Sequence, residues 1–145
     1  MNEQYKLFIA AIFSLLSLGV IAGESYSCKL DSAKMGNWLP SSIQISFNDE
    51  KQLTRLYAAD YPDYELELVE ITRWTKEFRE LKYIAHLPVE GGGTYRTRHS
   101  ITILPKLNNK IVYSLNFYEY STHFTASGQC KKKWTTGINT FQPDF

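Results

Sequence analysis

The stretch YRTRHSITIL, residues 95–104, decides the fold of this chain. Its odd-numbered residues, from Tyr95 to Ile103, fall on one face of an extended chain. The even-numbered residues, which include Arg96 and Arg98, fall on the other face. A period of two with one apolar face is typical of a half-buried β-strand. We therefore predict a long strand here.

Similar alternation continues on both sides of this strand, interrupted by turn-forming Gly, Pro, Asn and Asp. The other predicted strands are 43–47, 53–57, 65–73, 79–87, 111–120 and 124–130. About seven strands in meander order, joined by short connections, predict an all-β fold, either a small antiparallel barrel or a two-sheet sandwich. The barrel is favoured because closure removes the free sheet edges of an exported protein.

The segment 64–87 fits two structures. Apolar residues spaced three and four apart between Tyr64 and Ala85 fit an amphipathic helix. From Leu81 to Leu87, however, the residues alternate as in a strand, and strands are predicted on both sides. We predict a strand, a turn near 75–77 and a second strand. The apolar residues of 65–73 change phase in mid-strand, which predicts a bulge or burial on both faces.

Residues 1–22 have the pattern of a secretory signal peptide. A short polar start with Lys6 precedes an apolar run over 7–21, and Val20 and Ala22 stand at −3 and −1 of a cut after Ala22. The run is shorter than the roughly twenty residues of a spanning helix. We expect a cleaved signal helix and an exported protein, periplasmic or secreted, without a stable transmembrane anchor. A retained anchor is the alternative.

The remaining chain is long enough for one domain. We expect a single β-domain over 23–130 and a C-terminal tail over 131–145, which shows no periodicity. The formal net charge of +1 argues against a dedicated nucleic-acid binder. Tyrosine occurs 10 times and aromatic residues make up 14% of the chain, which suits half-buried sheet surfaces.

Cys28 and Cys130 are the two cysteines of the chain. In an oxidising compartment we expect them to form a disulfide that ties the start of the fold to its last strand. Two free thiols are the alternative.

Three features together resemble small exported bacterial β-domain proteins of uncharacterised function. They are the early Cys28, the tripeptide Trp38-Leu39-Pro40 before an alternating apolar strand, and the closing pattern aromatic-x-x-x-Gly-x-Cys from Phe124 to Cys130. The resemblance implies a β-fold, a cysteine pair and a periplasmic location, and it implies no activity. The residues after Cys130 have no counterpart in the pattern.

The sequence contains no motif that predicts a reaction. His86, His99 and His123 have no metal-ligand spacing, although pairing of 79–87 with 95–104 would bring His86 close to His99. The three glycines at 91–93 lack the Gly-Lys-Ser/Thr of a phosphate-binding loop and predict a flexible turn. We therefore expect no enzyme activity, no metal and no cofactor.

Two functions remain. The first is a non-enzymatic barrel that binds a small apolar or aromatic ligand. The second is an envelope interaction or inhibitor protein that contacts a partner through a loop or through the basic tail. The candidate contact residues are Trp38, Tyr83, Tyr95, Lys131, Lys132, Lys133 and Trp134.

Overall fold

The computed structural model describes residues 23–31, 38–58 and 66–135. The predicted signal helix at 1–22 and the tail after residue 135 lie outside the described residues. Within them, no helix is long and apolar enough to span a bilayer. The strands are β1 (Gly23–Leu30), β2 (Ser42–Phe47), β3 (Leu53–Ala58), β4 (Leu66–Trp74), β5 (Arg79–Pro88), β6 (Thr94–Leu104), β7 (Lys110–Phe117) and β8 (His123–Thr135).

The eight strands form a single antiparallel sheet, which confirms the all-β prediction. Their order is β3-β2-β1-β8-β7-β6-β5-β4, so the first strand of the chain pairs with the last. The edge strands are β3 and β4, and no pairing joins their described residues. The architecture is a nearly closed barrel rather than a two-sheet sandwich.

The additional strand is β1, which the sequence analysis missed. Tyr26, Cys28 and Leu30 point into the barrel and are buried, whereas Ser25 and Ser27 alternate with them on the outer face. Because this alternation rests on serine, cysteine and tyrosine rather than on aliphatic residues, it gives a weak strand signal.

The segment 64–87 is strand, turn and strand, as predicted. β4 and β5 pair across a turn in which the Thr75 amide donates to the Phe78 carbonyl and the Thr75 hydroxyl accepts from the Phe78 amide. The pairing register shifts between Glu67 and Glu70 and again between Ile71 and Arg73. These shifts confirm the predicted bulge, which disrupts an edge strand that would otherwise invite pairing with another chain.

The barrel interior is filled by the protein's own side chains. Inward residues alternate along each strand, as in the burial pattern of β7, where every second residue is buried. The largest side chains with less than 2% of their surface exposed are Tyr26, Tyr83, Tyr113, Phe47, Ile43, Ile45, Leu81, Leu87, Ile101, Ile103, Ile111 and Leu115.

The pairing of β1 with β8 is cross-linked. Cys28 and Cys130 are directly opposite each other in the register and form a disulfide, as predicted. Gly128 lies two residues earlier in β8, where a Cβ atom would overlap the main chain of Lys29. Glycine at this position therefore permits the close approach of the two strands.

The last strand extends beyond its predicted end at Cys130. β8 continues to Thr135, with Glu24 opposite Trp134 and Ser27 opposite Lys131. The boundary between a β-domain ending at 130 and a tail beginning at 131 is therefore wrong. Consecutive lysines conceal the alternation, and only the partner strand β1 makes the extension visible.

The barrel has two chemically different ends, which we name by their residues. The cleft end contains the turns 89–93 and 118–122 and the segment 38–41 before β2. The entry end contains the turns 48–52, 75–78 and 105–109, the first residue of β1 and the last residues of β8. The predicted turn at 91–93 has positive φ at all three glycines.

Removal of the disulfide tests how strongly it supports closure. We expect the Cys28→Ser/Cys130→Ser variant to lose about 2–4 kcal/mol in free energy of unfolding, because the bridge closes a long loop. Urea denaturation followed by tryptophan fluorescence measures the loss. A variant as stable as the wild type would show that the β1–β8 hydrogen bonds alone hold the barrel closed.

Candidate functional site

An aromatic cleft opens at the cleft end of the barrel. It has a volume of about 160 Å³ and is open to solvent on one side. Its residues come from the segment before β2, from the start of β6, and from the junction of β7 with β8. They are Trp38, Tyr95, Phe117, Tyr120, Thr122 and Phe124.

The rings of the aromatic cleft pack edge against face. Phe117 lies at the centre, with its ring centroid 4.9 Å from that of Trp38, 5.7 Å from that of Tyr95 and 6.2 Å from that of Phe124. The Trp38 and Tyr95 centroids are 5.9 Å apart. Such pairs contribute roughly 0.5–1.5 kcal/mol each beyond the area that they bury. The cleft wall is therefore preorganised by its own packing.

Tyr120 forms the outer wall of the cleft and is 54% exposed. Its ring centroid is 5.8 Å from that of Tyr95. A hydrogen bond between the Tyr95 and Tyr120 side chains raises the pKa of Tyr120. This bond holds the exposed Tyr120 ring beside the cleft.

Tyr83, predicted as a ligand contact, lies in the core instead. It is 1% exposed, and its ring stacks on the His99 imidazole with a centroid distance of 4.6 Å. The Tyr83 hydroxyl is 2.7 Å from the hydroxyl of Tyr113, which is itself 2.7 Å from His99 Nδ1. The inward position on β5 directs Tyr83 to a polar chain inside the barrel and away from the cleft.

The hydrogen bonds of this buried chain determine its direction. The Thr97 hydroxyl donates to the Ala85 carbonyl, so it accepts from His99 Nε2 at 2.7 Å. His99 therefore carries its proton on Nε2, and Nδ1 accepts from Tyr113. Burial lowers the pKa of His99 to about 3, which keeps the imidazole neutral.

The predicted approach of His86 to His99 does not occur. His99 faces the barrel interior, and its cross-strand partner is Tyr83, whereas His86 is opposite Arg96 and lies on the outer face, 3.2 Å from Glu67. Across the described ranges, no group of three His, Cys, Asp or Glu side chains is arranged to hold a metal ion.

A buried carboxylate organises the entry end. Glu24 accepts hydrogen bonds from Arg79 Nε at 3.0 Å and Arg79 Nη2 at 3.3 Å, and from the Tyr26 hydroxyl at 2.7 Å. Its other ion pair, with Lys132 Nζ, measures 3.2 Å. These contacts join β1 to β5 across the barrel and to β8 beside it, although β1 and β5 are not neighbours in the sheet.

The protonation state of Glu24 follows from this environment. Burial opposes ionisation, but the hydrogen bonds from Arg79, Tyr26 and Lys132 outweigh it and lower the pKa of Glu24 to about 2. Burial and the same carboxylate raise the pKa of Tyr26. Since the single carboxylate of Glu24 is paired with both Arg79 and Lys132, the cluster of these three side chains has a net charge of one positive unit.

The four predicted contact residues at 131–134 lie on both faces of β8. Lys131 and Lys133 are opposite Ser27 and Ser25 on the outer face. Lys132 points inward to Glu24, and its ammonium nitrogen is 4.2 Å from the ring centroid of Trp134. Trp134 is 65% exposed at the entry end. These four residues do not contact the aromatic cleft.

The structure thus brings together Trp38 and Tyr95 among the predicted contact residues. Tyr120, Thr122 and Phe124 also line the cleft and were not predicted. The alternation of residues along a strand does not distinguish them from other aromatic or turn residues. The contact of Glu24 with Arg79 spans 55 positions. No local sequence pattern predicts that ion pair.

Comparisons of the chain with protein-family models, with curated proteins and with solved structures find no match.

The buried His99 predicts a loss of stability in acid. Its folded-state pKa is below the unfolded value of 6.5, so the unfolded chain binds the extra proton as the pH falls. The His99 contribution is complete above pH 6.5 and is lost progressively toward pH 3, by at most about 1.4 kcal/mol per pH unit. Urea denaturation at stepped pH values measures this slope.

The variant His99→Gln is expected to flatten the slope between pH 6.5 and 5, a window that lies above the titration of Glu24. His123→Gln is the matched control, because His123 is exposed on the outer face. An unchanged slope in His99→Gln would contradict the assignment of His99 as the acid-sensitive group.

Loss of the Glu24 charge leaves Arg79 and Lys132 without their carboxylate partner. We expect Glu24→Gln to lower the free energy of unfolding by about 3 kcal/mol at neutral pH. In the wild type this contribution is present above pH 4.5 and is lost as the pH falls toward 2.

Thermal and urea denaturation of Glu24→Gln beside Glu77→Gln measure the effect. Glu77 forms an exposed ion pair with Lys106, so its replacement is expected to leave stability unchanged within error. Equal losses in the two variants would contradict a special role for the buried cluster.

Proposed function

We propose that the protein is a non-enzymatic binding protein of the cell envelope that holds a small apolar or aromatic ligand in the aromatic cleft. The observation that carries this proposal is the convergence of five aromatic side chains, from three separate parts of the chain, around one solvent-accessible cleft.

The filled interior supports a site at the end of the barrel. Small eight-stranded barrels are either filled by side chains or hold one small ligand. Here large side chains such as Tyr26, Phe47 and Tyr113 fill the inside. The ligand is therefore expected at the cleft end, where Trp38 and Tyr95 are only partly buried.

The size of the cleft suggests a single ring. An apolar cavity of about 150 Å³ accommodates benzene, and the cleft has a volume of about 160 Å³. Among the described residues that line the cleft, none carries a carboxylate, amine or imidazole, which favours an uncharged group. Thr122 and the two tyrosine hydroxyls supply hydrogen-bonding groups at the rim, which suits a ring with one polar substituent, such as a phenol.

The proposed location in the envelope has two supports. The predicted signal segment indicates export, and the Cys28–Cys130 disulfide is consistent with an oxidising compartment such as the periplasm or the extracellular space.

A second candidate function is an envelope interaction through the entry end. The observation in its favour is Trp134, a large apolar side chain that is 65% exposed beside three consecutive lysines. Contact with another envelope component would bury this indole. The residues involved are in strand β8 rather than in a tail.

Native mass spectrometry of the exported protein tests whether a ligand is carried. We expect an added mass that is lost on unfolding. Titration with toluene and phenol, followed by two-dimensional NMR, then locates binding. Amide shifts are expected in 38–41, 94–96 and 117–124, with phenol binding more tightly because it reaches the rim hydroxyls.

The variant Trp38→Ala removes one wall of the cleft and is expected to weaken toluene binding by roughly tenfold. Trp134→Ala is the matched control, since it removes an indole from the opposite end. If both variants bind toluene like the wild type, or if the shifts map to the entry end, the proposed site is wrong.

A further inference from the structure

Two large apolar side chains are exposed at the entry end. Trp134 near the end of β8 is 65% exposed, and Leu107 in the turn between β6 and β7 is 59% exposed. An ion pair of 2.6 Å between Lys106 and Glu77 joins the Leu107 turn to the turn between β4 and β5. The two apolar side chains belong to separate elements and offer two separate points of contact at this end.

Two lysines lie in grooves at the same end of the barrel. Lys51 and Lys76 line adjoining grooves that share Trp74, with volumes of about 260 Å³ and 310 Å³. Neither lysine is paired with a carboxylate in the part of the chain that the structure describes. Asp49 lines the groove of Lys51 and Trp134, whereas no described carboxylate lines the groove of Lys76.

Among the described residues, the charge balance of the entry end is slightly positive. The Glu24 cluster contributes one net positive charge, because Arg79 and Lys132 share one carboxylate. Asp49 and Glu50 in the turn with Lys51 offset the charges of Lys51 and Lys76, and Lys106 neutralises Glu77.

The chain enters the barrel at the entry end. β1 begins at Gly23 at this end, directly after the apolar run at 7–21. A predicted signal segment of that kind enters the bilayer during export. A retained segment would hold the start of β1 on the membrane side of the folded domain.

We propose that the entry end docks on an anionic membrane surface. Trp134 and Leu107 enter the interfacial region, where indole rings are favoured. Lys51 and Lys76 face the lipid phosphates, each contributing as a cation near a negatively charged surface.

A lipid surface fits this arrangement better than a protein partner. Trp134 and Leu107 belong to separate elements of the rim, and a bilayer accepts such separate points of insertion. A stable protein interface needs a continuous patch of about 800 Å² on each partner. Docking in this orientation leaves the aromatic cleft open to solvent on the far side, so the inference does not depend on the ligand proposed there.

Vesicle partition of the full exported chain tests the inference. The measured quantity is the ratio of partition into vesicles containing phosphatidylglycerol to partition into pure phosphatidylcholine vesicles. This ratio cancels any contribution of the run at 7–21 that does not distinguish the lipids. We expect a ratio well above one that falls as salt is added, because salt screens exposed charges.

Variants of the docking residues provide the decisive comparison. Lys51→Gln/Lys76→Gln is expected to lower the ratio by roughly fivefold per lysine, and Trp134→Ala is expected to lower partition into anionic vesicles on the order of tenfold. The matched control Lys29→Gln/Lys82→Gln removes the same charge from the outer face and is expected to leave the ratio nearly unchanged. Circular dichroism and thermal midpoints confirm that each variant is folded.

Three results would overturn the inference. The first is a ratio of one for the wild type. The second is an equal fall in the control variant, which would mean that only total charge matters. The third is capture of an envelope protein that depends on Trp134 and Lys51 while vesicle partition does not, which would assign the surface to a protein partner.

Discussion

The rest of the structure depends on the pairing of the first strand with the last. A meander of eight strands has its two ends far apart in sequence, and only the β1–β8 ladder brings them together. The Cys28–Cys130 disulfide fixes the register of this ladder, and Gly128 allows the main chains to approach. With β1 beside β8, both ends of the barrel become defined surfaces. Without this pairing, the sheet would lose the contacts that create its interior.

The barrel separates two kinds of chemistry along its length. At the cleft end, aromatic rings supply one another's packing and leave a small uncharged cleft around Phe117. At the entry end, Glu24 holds Arg79 and Lys132 in a charged cluster that joins β1, β5 and β8. Between them, the chain of hydrogen bonds through His99 satisfies every polar group that it buries. The packed core thereby separates the apolar cleft from the charged cluster at the entry end.

Several features of the fold were predictable from local pattern. The alternation in 95–104 and 111–120 identified the central strands because inward residues there are strongly apolar. The phase change at Leu68 and Val69 predicted a bulge or burial on both faces of β4, and the structure has the bulge, with both side chains exposed. β1 and the extension of β8 were missed, since serines and lysines give little contrast between faces. Of the predicted contact residues, Trp38 and Tyr95 line the cleft, whereas Tyr83 lies in the core. All three are aromatic, and a one-dimensional pattern does not give position along the barrel axis.

The sequence by itself determined the all-β class, the turns and the candidate disulfide, since these depend on neighbours one or two residues apart and on cysteine chemistry in an oxidising environment. Only the tertiary structure decided which aromatic residues form the cleft and which fill the core. It also placed Glu24 against Arg79 across 55 positions and assigned residues 131–135 to a strand. The physical reason is that these contacts depend on the register between strands that are distant in sequence, and strand register is set by packing and pairing of the whole barrel.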